Sequence, residues 1–323
     1  MNVRVNVILD TDIDTDCDDA GTLALLHTLC GTEEAKLLAV VCDAPTRWGA
    51  PCIDAINRYY GRGDIPVGAL ICDEDDSRNG EASRFGPYRQ LAGQIPPARR
   101  YNKRIAENYP NRFGENGEAV PEAVALYRQL LAEHTEVVIC AVGLLTVLSA
   151  LMKSGPDAIS GMSGMELIRR SVKRLVVMGG GTFPEGEDAF NWKMDPEAAE
   201  NVLNRWPGPL SVSSAGETIL TGARLMERMP PDHPIKFAYE AYLEAPARNR
   251  SSWDQVTALY AVRGGANLFE VTEGYSIYYD AATNRYTWSV KASAPEREWI
   301  WPALPDEEIG GLIEELMMGS RLT

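Results

Sequence analysis

Residues 3–19 read VRVNVILDTDIDTDCDD, and this stretch decides the fold. Its first half is a β-branched, apolar run that ends at Leu9, which predicts a buried parallel strand. Residues 20–30 then place leucines at helical spacing, so an apolar helix is expected to follow. Six of the ten residues 10–19 are aspartates, and they lie between the strand and the helix. Ligands of open α/β sheets bind at this carboxyl end of a strand, so we expect a binding site here.

The aspartate run predicts a site for a hard cation. Carboxylates held this close repel one another, and an all-oxygen ligand set suits calcium or magnesium better than zinc. A solvated acidic loop with one aspartate as a helix N-cap is the alternative. An EF-hand is excluded, because its sixth and twelfth positions would be Thr15 and Gly21 instead of Gly and Glu. A haloacid-dehalogenase-type phosphatase also carries D-x-D after a strand, and Asp10-Thr11-Asp12 leaves that interpretation open at this point.

The rest of the chain alternates strands with helices. This pattern predicts an α/β fold, with a single domain over residues 1–323 and a mainly parallel, Rossmann-like open sheet flanked by helices. Further strands are predicted at 36–42, 64–70, 135–142, 173–178 and 209–213, and helices at 51–60, 121–134, 143–152, 196–204, 239–245 and 254–262. Residues 73–118 lack clear periodicity and are expected to form an irregular insertion or rim over the site. Residues 275–290 predict a β-hairpin, and residues 306–318 a C-terminal amphipathic helix.

The composition excludes several kinds of partner. With 46 acidic and 31 basic side chains the net charge is −15, which disfavours nucleic acid and anionic membranes as partners. No apolar run approaches the roughly 20 residues of a membrane span. The first ten residues are too charged for a signal peptide, and the six cysteines form no CxxC pair, so we expect a cytoplasmic protein with reduced thiols. Three histidines are too few to suggest a His-rich zinc site.

Several separated segments together resemble the inosine–uridine-preferring nucleoside hydrolases. The D-x-D followed by D-D after the first strand is similar to that family's opening motif. Other similar segments follow in the family's order: Val142-Gly143-Leu144-Leu145-Thr146, Val177-Met178-Gly179-Gly180, Phe190-Asn191, Asp195-Pro196-Glu197-Ala198-Ala199 and Ser252-Trp253-Asp254. A phosphatase of the haloacid dehalogenase type has no use for a D-P-E-A-A segment or a late aspartate, so the resemblance demotes that alternative.

The resemblance implies a nucleoside hydrolase-like domain that cleaves the N-glycosidic bond of a ribonucleoside or related N-riboside. One calcium ion is implied, with the ligands Asp12, Asp19, Asp254 and the backbone carbonyl of Val142. Asp12 would also be the general base that takes a proton from the attacking water. Asp18, Asn191 and Met178 would line the ribose site, and Asp10 would orient the other carboxylates. A role in nucleoside salvage and a homodimer or homotetramer are implied in the same way.

The opening loop departs from the family's pattern. It is two residues longer than D-x-D-P-G-x-D-D, which leaves Asp14 and Asp16 as either solvated loop residues or additional ligands. After the second strand, Cys42-Asp43 stands where the family has G-N. Asp43 is therefore expected either to contact the substrate or to form a turn.

Two departures concern the substrate. The sugar-binding Glu of the family's E-F-N is replaced by Ala189, so Glu187 or Asp188 is the candidate for its role. Trp253 stands where many members carry a His that protonates the leaving base. An indole N–H is not acidic at neutral pH, so Trp253 is expected to stack on a nucleobase or to pack in the core. A non-catalytic, metal-dependent riboside-binding protein is accordingly the alternative function.

Overall fold

The computed structural model describes residues 4–14, 16–70, 84–115, 117–265, 267–290 and 296–319. The strands are β1 Val5–Thr11, β2 Ala35–Cys42, β3 Val67–Ala69, β4 Val137–Ala141, β5 Val172–Met178, β6 Glu185–Glu187, β7 Leu210–Ser213, β8 Leu220–Thr221, β9 Arg250–Ser251, β10 Phe269–Val271, β11 Tyr275–Asp280, β12 Arg285–Val290 and β13 Arg297–Pro302. The helices are α1 Asp18–Gly31, α2 Gly49–Tyr59, α3 Gly86–Gln94, α4 Tyr101–Asn108, α5 Arg112–Glu115, α6 Ala123–Glu133, α7 Thr146–Lys153, α8 Gly164–Ser171, α9 Asn191–Met194, α10 Pro196–Arg205, α11 Ala223–Arg228, α12 Pro234–Leu243, α13 Trp253–Arg263 and α14 Asp306–Met317.

The main sheet has the strand order β10-β13-β7-β5-β4-β1-β2-β3 over the described residues. Its neighbours pair in parallel, except that β10 runs antiparallel to β13. The predicted α/β class with a mainly parallel sheet is confirmed. At the centre, Leu9 of β1 lies opposite Val40 of β2 and Cys140 of β4. The carboxyl ends of β1, β2, β4 and β5 consequently meet at one edge of the sheet.

Helices cover both faces of this sheet. From β1, Val7 and Leu9 pack into one layer with α1, α13 and α14, whereas Ile8 packs into the opposite layer with α6, α7 and α10. All three side chains are fully buried, which explains the uninterrupted apolar run at the start of the chain. Within the ranges described above, no helix is long and apolar enough to cross a membrane.

The sequence pattern does not predict β13, although this strand lies inside the main sheet. Arg297–Pro302 reads REWIWP and begins with two charged residues, so it does not match an apolar strand pattern. Arg297 is buried and donates to backbone carbonyls, including that of Gly208 at 2.6 Å. Glu298 is also buried and forms an ion pair with Arg174. Partners for both charges allow this strand to enter the sheet.

The predicted helix at residues 239–245 is wrong at its start. α12 begins five residues earlier, at Pro234, because proline suits the first position of a helix. His233 caps this end, since its Nδ1 accepts a hydrogen bond from the backbone N of Ile235 at 3.2 Å.

The C-terminal elements agree with the sequence pattern. The predicted hairpin at 275–290 is confirmed as β11 and β12, which pair from Tyr275 opposite Val290 to Asp280 opposite Arg285. β6 adds a third strand to this small sheet. The predicted C-terminal helix is α14.

Residues 84–115, 117 and 118 are the described part of the predicted 73–118 insertion, and residues 84–115 contain α3, α4 and α5. Residues 73–83 and 116, which also belong to that prediction, lie outside the described residues. Buried Asp54 of α2 holds the segment, because it accepts hydrogen bonds at 2.7 Å from both the backbone N and the Nε of Arg112.

Asp195 joins two helices near the carboxyl edge of the sheet. Its carboxylate caps α10 by accepting a hydrogen bond from the backbone N of Ala198 at 3.3 Å. It also accepts the hydroxyl of Thr146, the first residue of α7, at 2.6 Å, and pairs with Arg84 at 2.5 Å. One buried side chain thereby fixes α7, α10 and the start of the 84–115 segment relative to one another.

Replacing Asp195 with Ala should lower the free energy of unfolding by about 1–3 kcal/mol, because it removes an N-cap and leaves a buried hydroxyl unpaired. Urea unfolding followed by circular dichroism measures this loss. Exposed Glu197 of the same helix provides the control: Glu197→Ala should cost less than half as much. Equal losses in the two variants would contradict the capping role.

Candidate active site

Three buried carboxylates, those of Asp18, Asp19 and Asp254, form the centre of the site. Each offers one oxygen, and these oxygens lie within 4.8 Å of one another. Asp18 and Asp19 begin α1, and Asp254 is the second residue of α13. The two helices pack against each other, so the positive ends of their dipoles meet at this point. The fold thus brings together two of the predicted metal ligands, Asp19 and Asp254, from distant parts of the sequence.

The electrostatics of these three residues fit a hard cation. Burial raises the pKa of each carboxyl well above its usual range, and the charges of neighbouring carboxylates raise it further. Asp254 Oδ1 is buried and has no hydrogen-bond partner among the described residues. A divalent cation between the carboxylates would relieve the repulsion and satisfy this oxygen. Oxygen donors of this kind suit calcium or magnesium.

Asp12 lies beside this group and is 5% exposed. Its charge helps to raise the pKa of Asp19 and of Asp254, which indicates that the carboxylates are close. Burial and the charge of Asp18 raise the pKa of Asp12 itself. A carboxylate with a raised pKa is a better proton acceptor near neutral pH. The environment of Asp12 is therefore compatible with a general base, and that role stays a prediction.

Asp10 and Asp43 form a second buried pair of carboxyls at the ends of β1 and β2. Tyr127 donates to Asp10 Oδ2 at 2.7 Å. Burial raises the pKa of Asp10 to about 6, while burial and the charge of Asp10 raise the pKa of Asp43 well above its usual range. The pair therefore favours keeping one proton between its two carboxyls. In that state Asp43 can offer a donor and an acceptor, like the Asn that the family carries at this position.

Asn191 contacts two other candidate site residues, Val142 and Met178. Its Nδ2 donates to the backbone carbonyl of Val142 at 2.8 Å and lies 3.6 Å from Met178 Sδ. Val142 follows β4 and Met178 ends β5, so both lie at the carboxyl edge of the sheet. Asp188 fixes the backbone around Asn191, because its buried carboxylate accepts the backbone N of Trp192 at 2.8 Å.

The structure gives Glu187 and Asp188 other partners. Glu187 is 59% exposed in β6, and its carboxylate pairs with Arg285 at 3.1 Å. Asp188 accepts hydrogen bonds from backbone amides, including that of Gly180 at 2.7 Å. A sugar-binding role for Glu187 or Asp188, in place of the family's Glu, therefore stays a prediction.

Arg250, a residue that belongs to none of the sequence motifs, covers Trp253. Its guanidinium carbon lies 4.9 Å from the centre of the Trp253 ring, and its Nε donates to both carboxylate oxygens of Asp16 at 3.0 Å. Trp253 is half-buried and directly precedes Asp254. Asp16 thus anchors the cation that lies over Trp253. The sequence contained one indication of such a charged partner: Asp16 is an aspartate of the lengthened loop to which the family's pattern gives no role.

Asp14, the other additional aspartate, connects the loop to the 84–115 segment. Its carboxylate accepts hydrogen bonds from Asn102 Nδ2 at 2.7 Å and from the hydroxyl of Tyr88 at 3.3 Å. The hydroxyl of Tyr101 donates to the backbone carbonyl of Asp16. These partners lie 74 to 88 residues away along the chain, in a segment with weak periodicity, so the sequence pattern does not reveal them.

Gly143 packs against both groups of carboxyls. A Cβ at this position would lie 2.5 Å from the backbone N of Asp12 and 2.5 Å from Asp43 Oδ1. Gly143→Ala should therefore lower the free energy of unfolding by about 1–3 kcal/mol in urea titrations. Gly155→Ala is the matched control, since nothing lies within 4 Å of its added Cβ. A Gly143→Ala variant as stable as this control would contradict the tight packing.

The raised pKa values of Asp18, Asp19 and Asp254 also predict how a cation changes the pH dependence of stability. Without a cation, the folded state holds more protons than the unfolded state. The contribution of these groups to stability is therefore present below 3.8, their usual pKa, and is lost as the pH rises through the raised values. With a bound cation the carboxylates are ionised in the folded state. Their contribution to stability then increases, instead of decreasing, as the pH rises.

Calcium should accordingly raise the midpoint of thermal unfolding more at about pH 7.5 than at about pH 5. Differential scanning calorimetry with calcium or with a chelator measures both shifts. Because each shift is a difference at a fixed pH, buried His27 and His233, whose pKa values burial lowers, affect both samples equally. Asp254→Asn should reduce the calcium shift. Equal shifts at the two pH values would contradict a cation site at these carboxylates.

Solved structures with the same fold include several nucleoside hydrolases. The inosine-uridine preferring nucleoside hydrolase from Bacillus anthracis is 18% identical, with a TM-score of 0.65 over 98% of this chain and 99% of that one. An inosine-guanosine nucleoside hydrolase is 16% identical, with a TM-score of 0.63 over 98% and 99%. The type III effector protein XopQ, solved with adenosine diphosphate ribose, is 15% identical, with a TM-score of 0.69 over 98% and 94%. At these identities the likeness shows the fold alone.

Curated protein sequences give no match to this chain. A family model does match, and its description is inosine-uridine preferring nucleoside hydrolase. It covers residues 7–291, which include most of β1, the aspartate loop, Asn191 and Asp254. The chain belongs to the inosine-uridine preferring nucleoside hydrolase family and is a hydrolase that acts on N-glycosyl compounds.

Proposed function

We propose that the protein hydrolyses the N-glycosidic bond of a ribonucleoside or a related N-riboside with one calcium ion, and releases ribose and the free base. The observation that carries the proposal is the buried group of Asp18, Asp19 and Asp254, with Asp12 beside it, at the carboxyl end of β1. The family supports the class of reaction, and the all-oxygen donor set supports the choice of a hard cation.

In this proposal calcium is held by Asp12, Asp19, Asp254 and the backbone carbonyl of Val142. A bound calcium ion supplies positive charge that lowers the pKa of a coordinated water and attracts sugar hydroxyls. The carbonyl of Val142 accepts one hydrogen bond from Asn191, and its second lone pair is left for the cation. Asp18, the remaining carboxylate of the buried group, is assigned to the ribose hydroxyls.

The residues of the chain would favour bond cleavage in two ways. Asp12 takes a proton from the attacking water, a contribution of roughly 10²–10⁴-fold for a well-placed base. The ring of anionic side chains stabilises the positive charge that develops on the ribosyl group as the C–N bond breaks. Asn191 and Met178 hold the sugar in place, and Asp10, tied to Tyr127, keeps the loop carboxylates oriented.

The leaving base is proposed to depart against Trp253 and Arg250. Trp253 cannot protonate the base, so its ring would stack on it, with Arg250 stacked on the same ring at 4.9 Å. The guanidinium charge of Arg250 lies where it can stabilise negative charge on a departing base. Burial lowers the pKa of Arg250, but the hydrogen bonds and charge of Asp16, with Tyr242, outweigh that effect and raise the pKa above its usual value. Arg250 therefore stays protonated, so its contribution is electrostatic and involves no proton transfer.

The alternative function is a non-catalytic, metal-dependent riboside-binding protein. Trp253 favours it, since this residue replaces the acid that many family members use. We further expect a small-molecule substrate, with neither nucleic acid nor membrane as partner, and a homodimer or homotetramer in the cytoplasm. The net charge of −15 supports the expectation that neither nucleic acid nor an anionic membrane is a partner. Light scattering of the purified protein tests the oligomeric state.

An activated substrate separates hydrolysis from binding. p-Nitrophenyl riboside needs no acid for its leaving group, so the protein with calcium should release p-nitrophenolate, measured by absorbance. Asp12→Asn should keep the fold and lower kcat at least about 100-fold, because the amide cannot accept the proton.

The control is Asp64→Asn, at an exposed position, which should leave kcat unchanged. Full activity of Asp12→Asn would show that the base is assigned wrongly. Absence of cleavage together with calcium-dependent riboside binding in calorimetry would favour the binding protein over the hydrolase.

A further inference from the structure

A cavity of about 510 Å³ opens at the amino edge of the main sheet, the edge opposite the candidate active site. It lies between α6 and the beginnings of β2 and β3. Most of its wall is apolar and consists of buried side chains from these elements, among them Leu37, Leu38, Ile65, Leu126 and Leu130. Its volume is within the range of cavities that hold a small organic molecule, so it can also receive an apolar side chain.

Two exposed apolar side chains accompany this cavity. Ile159, in the loop 154–163 that joins α7 to α8, lines the cavity and is 42% exposed. Met162 of the same loop is 36% exposed. Only six large apolar side chains of the described residues are exposed, and these two lie three positions apart. Exposed apolar side chains next to an apolar cavity are typical of a surface that another molecule covers.

Buried Arg128 of α6 fixes the conformation of this loop. Its guanidinium donates to both carboxylate oxygens of Asp157, at 2.7 and 2.9 Å, and to the backbone carbonyls of Ser160 and Met162, at 3.1 and 2.9 Å. Asp157 in turn accepts the backbone N of Ile159 at 3.0 Å. The loop is therefore held in place before any contact forms, which lowers the entropic cost of covering it.

The charges around the cavity balance one another, in contrast to those of the whole chain. Lys36, Asp64 and Glu133 line the cavity, and Arg170 lies beside Met162, with its Nη1 3.8 Å from the sulfur. These are two basic and two acidic side chains, in a chain of net charge −15. Two copies of so acidic a protein repel each other over most of their surface. A balanced face avoids this repulsion and allows opposite charges to pair.

We propose that this face, which consists of the cavity and the loop 154–163, binds the same face of a second copy of the chain. Ile159 of each copy enters the cavity of the other, as the two-fold symmetry of a self-complementary interface requires. The surface itself identifies the occupant, because it carries an apolar projection, a cavity that can receive one and charges of both signs. The proposal names the surface that forms the contact and is independent of the proposed function.

Substitutions on the two sides of the contact test the proposal. Ile159→Glu places a charge on the projection, and Ala125→Phe fills the cavity, which half-buried Ala125 lines. Each should raise the dissociation constant of the oligomer roughly 30-fold or more, because a few side chains at the centre of an interface dominate its affinity. Sedimentation velocity over a dilution series measures this change, and the mass should fall to half or less.

Tyr278→Glu is the matched control, since Tyr278 is an apolar side chain of β11 that is 60% exposed. It should leave the dissociation constant unchanged. A chain that is monomeric at every concentration would overturn the proposal. So would an oligomer that either Ile159→Glu or Ala125→Phe leaves intact, because the contact requires both the projection and the cavity. Circular dichroism of each variant confirms that it is folded.

The fluorescence of anilinonaphthalene sulfonate distinguishes a second copy from a small apolar ligand. In the unmodified oligomer the cavity is covered, so the dye should bind weakly. Ile159→Glu uncovers the cavity and should increase the fluorescence, whereas Ala125→Phe should not, because its side chain fills the space. Strong dye binding by the unmodified protein that Ala125→Phe abolishes would overturn the proposal, since the cavity would then be open to small ligands.

Discussion

Electrostatic repulsion between buried carboxylates is the constraint on which the rest of this structure depends. Asp12, Asp18, Asp19 and Asp254 share one low-dielectric site, where their pKa values are all raised. Burying such a cluster costs folding free energy unless positive charge lies nearby, and the surrounding protein compensates only part of the negative charge. Two helix N-termini face the cluster, and Arg250 pairs with the neighbouring Asp16. The same shortage of positive charge suits the site to a cation and to a ribosyl group that becomes positive.

The fold could be predicted from the sequence wherever burial leaves a simple pattern. β1 is buried on both faces and reads as an apolar run, and the hairpin at 275–290 alternates. β13 was missed because its Arg297 and Glu298 are buried with partners, and a pattern of hydrophobicity cannot reveal pairing. The beginning of α12 does not follow from the sequence pattern, because its first residue, Pro234, is compatible either with a loop or with the first position of a helix.

The candidate site could be predicted only as far as its motifs extend. Asp19 and Asp254 follow motifs of the family, and the fold brings them together. Arg250 and Tyr88 belong to no motif, and their roles arise from contacts with distant residues: Arg250 with Asp16, and Tyr88 with Asp14. Contacts between residues far apart in a sequence leave no local pattern. For that reason the part of the site that is peculiar to this chain emerged only from the three-dimensional arrangement.

Asp14, one of the two additional aspartates of the first loop, connects the site to a distant segment. Asp14 holds the 84–115 segment, and Asp14 belongs to the same loop as Asp12 and Asp18. If a cation binds the cluster, docking of the segment and ordering of the carboxylates would be linked equilibria through this loop. Linkage is reciprocal, so a ligand that favours the docked segment raises cation affinity by the same factor by which the cation raises affinity for the ligand. In the proposed function, a lengthened loop of this kind would couple cation binding to substrate binding within a single chain.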